Sequence, residues 1–141
     1  MLKKKNISAA TFFTNGKVFL AIHPTNIHFW EIPKGMVDKE ESDDKAAVRE
    51  FYEETNVQLN QFNLKKIGKF KLHETKDIML FLYVTDTLPD VSTMKCTSYF
   101  RNKGNPLPEV EDWAYVKIKD MQKWIRQDMQ NMLRKLISKE I

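Results

Sequence analysis

Three glutamates, Glu50, Glu53 and Glu54, fall at i, i+3 and i+4. At roughly 100° per residue on an α-helix, that spacing puts three carboxylates on one face. Like charges so close repel, at a cost of about a few tenths of a kcal/mol per pair. A hard divalent cation reverses the sign, because carboxylate oxygens are the ligands that Mg²⁺ and Mn²⁺ prefer. Three acids alone would read as a solvated helix face. Here Gly35, Glu41 and Arg49 stand in register with them, five residues separating Gly35 from Glu41 and seven separating Glu41 from Arg49. Arg49 sits beside Glu50 and one turn from Glu53, where it can hold the acids in place.

The helix that must carry these residues is expected from about Ser42 to Thr55. Ser42 is its candidate N-cap, and Asp43 and Asp44 occupy the first turn, where the dipole favours acids. Ala47, Val48, Phe51 and Thr55 form the opposite face, expected to pack on a sheet. Asn56 suits a left-handed residue closing the helix. Gly35 stands where the chain turns from Pro33 toward the helix, and a glycine there permits close backbone approach or positive φ. Lys34 reads either as an exposed loop lysine or as a phosphate contact facing the metal site.

These residues closely resemble the Nudix box: Gly, five residues, Glu, seven residues, then Arg-Glu-aliphatic-x-Glu-Glu-x-Gly-aliphatic. Gly35, Glu41, Arg49, Glu50, Glu53, Glu54 and Val57 match, while Phe51 replaces an aliphatic residue and Asn56 replaces the second glycine. The resemblance implies the Nudix α/β/α sandwich, with a mixed β-sheet between the box helix and a C-terminal helix. It implies Mg²⁺ or Mn²⁺ held by Glu50, Glu53, Glu54 and the Gly35 carbonyl. The implied reaction is hydrolysis of a nucleoside diphosphate linked to another group, with a carboxylate taking a proton from the attacking water and Arg49 orienting the acids. Trp30-x-x-Pro33-Lys34-Gly35 is similar to the entry to the box in dinucleoside polyphosphate hydrolases and in RNA 5′-pyrophosphohydrolases. Pro108-Glu109-Val110-Glu111-Asp112-Trp113 is similar to a segment of the latter group, in which a loop glutamate reaches the metal cluster. Glu109 matches that glutamate, with Glu111 as the alternative.

The substrate these resemblances favour is a dinucleoside polyphosphate such as Ap4A. A triphosphorylated RNA 5′ end, a nucleoside triphosphate and ADP-ribose are the alternatives. A Nudix-fold module that senses a nucleotide without cleaving it is a further one, marked by loss of a box glutamate, and none is lost here.

The bulk numbers suit one enzyme domain spanning residues 1–141. Charged residues make up 30% and apolar residues 42%, a balance that excludes a disordered chain. The net charge of +4 suits a phosphate-rich ligand and is too small to argue for nucleic acid by itself. The single cysteine, Cys96, allows no internal disulfide, so a reducing cytoplasm is expected. No apolar run reaches the roughly 18 residues that a membrane span needs. Lys3-Lys4-Lys5 precedes the apolar stretch Ile7–Phe13, which is too short for an export signal and is expected to be a strand.

Strands are expected at Ser8–Thr14 and Lys17–His23 around an Asn15-Gly16 hairpin turn, at Lys65–His73, at Ile78–Thr85 and at Val110–Ile118. Val91–Arg101 reads as a strand or an inserted loop, and Lys103–Pro108, with its glycine and prolines, as loop. Asp120–Lys139 carries its apolar residues on one stripe and is expected to be a single amphipathic helix.

Overall fold

The computed structural model describes residues 6–141; the basic run Lys3–Lys5 lies outside them. Asn15-Gly16 turns the chain as its chemistry dictates. The Asn15 Oδ1 accepts hydrogen bonds from the backbone N–H groups of Lys17 and Val18, and Gly16 takes φ +94°. The two strands it joins are β1 (Asn6–Thr14) and β2 (Val18–Pro24). They pair only at Thr14 and Phe19 and then diverge. The segment from Trp30 to Met36 fills the opening. Ile22 and Glu31 exchange both backbone hydrogen bonds, at 2.7 and 2.8 Å. On the other side Thr11 N–H donates to Pro33 O at 3.0 Å, and β3 (Lys34–Met36) pairs with Ser8–Ala10.

The remaining strands complete a mixed six-stranded sheet in the order β4-β5-β1-β2-β8, with β3 against β1. Here β4 is Lys65–His73, β5 is Lys76–Val84 and β8 is Val110–Lys117. β5 runs parallel to β1, and the other neighbours are antiparallel. A bulge between Lys66 and Gly68 lets Ile67 turn inward together with Phe70 and Leu72, a face that strict alternation leaves ambiguous.

Alternation along β1 splits the core into two layers. Ala10 and Phe12 pack with Ile78 and Leu80 beneath Met129, Leu133 and Leu136 of the C-terminal helix. Ala9 and Phe13 face the other way, toward Ala46, Ala47 and Phe51 of α1 (Asp43–Thr55). The helix ends as expected, with Asn56 at φ 64°, ψ 19° and its N–H donating to Tyr52 O at 2.8 Å. Ser42 occupies the N-cap position, but its side chain makes no capping hydrogen bond to the helix backbone.

Two expectations are corrected. The C-terminal segment is not one helix: a 3₁₀ turn (Ile118–Asp120) and α2 (Met121–Trp124) precede a break at Ile125 and Arg126, and α3 runs Gln127–Glu140. The break is occupied by a backbone exchange with Trp30, whose N–H donates to Trp124 O while its carbonyl accepts from Arg126 N–H. Lys103–Pro108 is not simply loop either. β6 (Tyr99–Asn102) and β7 (Asn105–Pro108) form a separate hairpin, turned by Lys103 and Gly104 at φ 52° and 84°. The Val91–Arg101 region therefore holds a 3₁₀ turn (Val91–Thr93), an extended linker and the start of that hairpin. Among the described residues no helix is long and apolar enough to cross a membrane.

Candidate active site

The wedge of Trp30–Met36 between β1 and β2 brings Lys34 and Gly35 under the box helix. Glu50 lies against Gly35: a Cβ built on that glycine would stand 1.9 Å from Glu50 Cδ. Gly35 is absent from the positive-φ glycines, so it is needed here for the close approach of the carboxylate. Glu54 reaches the same strand, where its Oε1 accepts the Lys34 backbone N–H at 2.9 Å.

The acids are not a solvated face. Glu50 is 9% exposed and Glu54 5% exposed, while Glu53 is half-buried. Burial, together with the negative charge of Glu53 and Glu109, pushes Glu50 up to about 7 against the hydrogen bond from Arg49. Burial raises Glu54 well above the ordinary carboxyl range, with Glu50 and Glu109 adding to it.

Arg49 is the hub of the opposite end. Its Nη1 donates to Glu50 Oε1 at 2.8 Å and lies 3.3 Å from both Glu53 oxygens. Its Nε and Nη2 clasp Glu41 at 2.8 and 3.0 Å, and Nη2 also donates to Met36 O at 2.9 Å. The clasp holds Glu41 below its ordinary carboxyl value. One guanidinium thus fixes two helix acids, as the sequence spacing suggested, and also the loop before the helix and the end of β3, which it did not suggest.

The C-terminal end of α1 is tied to the facing wall. Thr97 N–H donates to Glu53 O at 2.7 Å, and Trp113 Nε1 donates to Glu54 O at 2.7 Å. Glu109 stands between β7 and β8, its N–H bonded to Ser98 O and its carbonyl accepting from Thr25 N–H. It lines the same cleft as Glu50 and Glu54. Glu111 does not. Its carboxylate meets His23 Nδ1 at 2.8 Å in a separate shallow depression beside Trp30.

The cleft, about 480 Å³, is lined by Glu31, Glu50, Glu54 and Glu109 together with Lys34 and Lys76, and by Ser8, Thr25 and Phe100. The Lys34 ammonium is 3.4 Å from Glu31, which also binds Arg126. Lys76, Ser8 and Glu31 escape a reading of the sequence, because only strand pairing brings them to the cleft, and so does Arg126, which the break before α3 brings to Glu31.

The donors that face one another here are all hard oxygens, and Glu50 and Glu54 are held in a setting that penalises their charge, which a divalent cation would relieve. That chemistry fits Mg²⁺ or Mn²⁺. As the side chains stand, no three acidic, histidine or cysteine groups among the described residues are gathered round one point. The reason is visible in the bonds: Arg49 draws Glu50 and Glu53 one way, and the Lys34 N–H draws Glu54 another.

Comparison with known proteins agrees with this arrangement. An uncharacterized 17.7 kDa protein of Enterobacteria phage T4 is 40% identical over 96 residues, covering 63% of this chain and 62% of that protein. An RNA pyrophosphohydrolase of Azorhizobium caulinodans is 39% identical over 57 residues, 36% of this chain and 34% of that protein. The chain thus spans less than two thirds of the length of either relative. Among solved structures, the MutT protein from Methanosarcina mazei Go1 superposes with a TM-score of 0.70 at 17% identity, covering 99% of this chain and 97% of that one, a likeness of fold. The NUDIX domain model matches residues 4–136, and with the sandwich and the box geometry in place the chain belongs to the Nudix family.

Proposed function

We propose that this protein is a divalent-metal-dependent pyrophosphohydrolase, cleaving a nucleoside diphosphate linked to another moiety by attack of water on phosphorus. A dinucleoside polyphosphate such as Ap4A is the substrate proposed first. The observation that carries this reading is the presence, in one cleft, of the buried carboxylates Glu50 and Glu54 together with Lys34 and Lys76. Lysines meet a pyrophosphate directly, whereas carboxylates meet it only through a shared cation.

Glu50, Glu53, Glu54 and Glu109, with the Gly35 carbonyl, would hold Mg²⁺ or Mn²⁺. Such ions, when bound, neutralise pyrophosphate charge and lower the pKa of water. The chain's own contributions are positional and protonic. Arg49 keeps Glu50 and Glu53 aligned. Lys34 receives a phosphate oxygen at the floor of the cleft. One of the four glutamates accepts the proton of the attacking water.

A second reading, removal of pyrophosphate from RNA 5′ ends, is supported by the local 39% identity to an RNA pyrophosphohydrolase. Retention of all four box glutamates, Glu41, Glu50, Glu53 and Glu54, argues against a sensing module that cleaves nothing.

The test is a substrate panel with Mg²⁺ or Mn²⁺, using dinucleoside polyphosphates, ADP-ribose, nucleoside triphosphates and triphosphorylated RNA, with products resolved. Turnover is expected to fall by about two orders of magnitude or more in Glu53→Gln, whose side chain is only half-buried and can be changed with little effect on the fold. A parent inert on the whole panel, or near-normal turnover in that variant, would overturn the reading.

A further inference from the structure

We infer that Trp113 is a positioning residue: with the backbone of Thr97 and Ser98, it fixes the spacing between the box acids Glu53 and Glu54 and the loop acid Glu109. This rests on the pyrophosphohydrolase reading above and adds to it a residue that does not itself line the cleft.

The box helix leaves three carbonyls to be met from outside. Asn56 N–H closes the last helical bond, to Tyr52 O, and Val57 N–H turns away to Thr55 Oγ1 at 3.1 Å. Glu53, Glu54 and Thr55 therefore stand where carbonyls lack partners within the helix. Each receives a donor from elsewhere in the chain. Thr97 N–H donates to Glu53 O at 2.7 Å, Trp113 Nε1 to Glu54 O at 2.7 Å and Lys95 N–H to Thr55 O at 3.3 Å. Two of these carbonyls belong to acids of the site. A carbonyl is bonded to its own Cα, so holding it holds the direction in which that residue's carboxylate leaves the helix.

The same braces lead to Glu109. Ser98 follows Thr97, and its carbonyl accepts Glu109 N–H at 3.0 Å. Trp113 lies on β8, which begins directly after Glu109, and is registered against Ile22 of β2. One dipeptide and one indole thus join the end of the helix to the segment that carries the loop acid. Glu54 is held twice, at its carbonyl by Trp113 and at its carboxylate by the Lys34 N–H.

The residue type matters here. The indole N–H is a donor only, and its ring body packs against two apolar clusters, one containing Leu20 and Phe51 and the other Ile22, Cys96 and Val110. A phenylalanine would fill most of that space and donate nothing. Partners that orient metal-binding groups matter nearly as much as the groups themselves, because they set geometry without touching the ion.

The experiment compares Trp113→Phe with Leu59→Ala, whose side chain lies in the same apolar cluster and takes no part in the braces. Turnover is measured on whichever substrate of the panel the parent cleaves, and Mn²⁺ binding is measured by electron paramagnetic resonance without substrate. Trp113→Phe is expected to lower kcat and Mn²⁺ affinity by about tenfold each, with KM changed little. Leu59→Ala is expected to lower the melting temperature at least as much and leave both quantities near the parent. In a Glu109→Gln background, Trp113→Phe should cost no more than about threefold further in kcat, because the spacing it keeps no longer ends on an acid. Benzothienylalanine at position 113 keeps the ring shape, lacks the N–H and should reproduce the loss, which decides the matter if Trp113→Phe does not fold. Parent-like behaviour of either replacement, equal losses in Leu59→Ala, or full losses that multiply with Glu109→Gln would overturn the inference while leaving the enzymatic reading intact. A parent inert on the whole panel overturns that reading, and Mn²⁺ then decides the brace: unaltered affinity in Trp113→Phe, or no binding by the parent, overturns it.

Discussion

The Glu50 carboxylate lies directly on Gly35, so close that a methyl group on the glycine would overlap Glu50 Cδ. The obstacle is the end of a flexible side chain, not backbone. Gly35→Ala is therefore expected to displace Glu50 at small cost to the fold while misplacing an acid of the site. Turnover should fall by at least about tenfold, with the melting temperature changed by only a few degrees. A variant that melts far lower would mean that Glu50 cannot move aside, and a fully active one would mean that its position is not critical.

Glu109 lines the same cleft as Glu50 and Glu54, and Glu111 pairs with His23 outside it. Steady-state kinetics should separate them. Glu109→Gln is expected to lower turnover about tenfold or more with unchanged thermal stability, and Glu111→Gln to remain near the parent. The reverse order would place the functional loop acid at position 111.

The metal-free protein should be most stable in acid as far as these groups are concerned. Glu50 is raised from 4.5 to about 7, and Glu54 is raised well above 4.5. A raised carboxyl pKa means that the folded state keeps a proton which the unfolded chain gives up. The contribution is complete below the unfolded value and is lost as pH rises through the folded one. Melting temperature in chelator should therefore decline from pH ~5 to pH ~8, and Mg²⁺ or Mn²⁺ at the upper pH should restore it. Glu54→Gln should flatten the decline. A melting temperature that rises over this interval, unaffected by either ion, would contradict the assignment.

Asn56 takes the left-handed conformation after the box helix. Asn56→Gly should be neutral or slightly stabilising, and Asn56→Val should cost about 1 kcal/mol or more. Urea titration of the two variants measures both.

What could be read in the sequence was what local chemistry decides. The hairpin at Asn15-Gly16, the acids at i, i+3 and i+4, the contacts of Arg49 with Glu50 and Glu53 and the Asn56 cap each depend on residues within a few positions of one another. The break before α3 was hidden because the apolar stripe continues across it, and its cause is the backbone of Trp30, nearly a hundred residues earlier. β7 was hidden by Pro106 and Pro108, which argue against a strand but are tolerated in a two-stranded hairpin. The burial of Glu54 was hidden because a glutamate's identity does not say which way its helix face is turned. Lys76 and Ser8 carried no signal at all, since a parallel pairing across about seventy positions brings them together.

The wedge between β1 and β2 gives the two walls of the cleft different mechanical characters. The wedge is bonded to β2 through Glu31 and to β1 through residues 33–36, so the strand that carries Lys34 is anchored to the sheet. Its amides at Thr11, Ile22 and Glu31 should exchange with solvent only when the whole domain opens. Among the described residues the β6–β7 hairpin has ladder bonds only within itself, yet it places Phe100 on the cleft and leads directly into Glu109. Its amides should exchange through far cheaper, local openings. Such openings would release Phe100 while Lys34 stays fixed, so under the proposed function substrates of different bulk would enter on the hairpin side without moving Lys34.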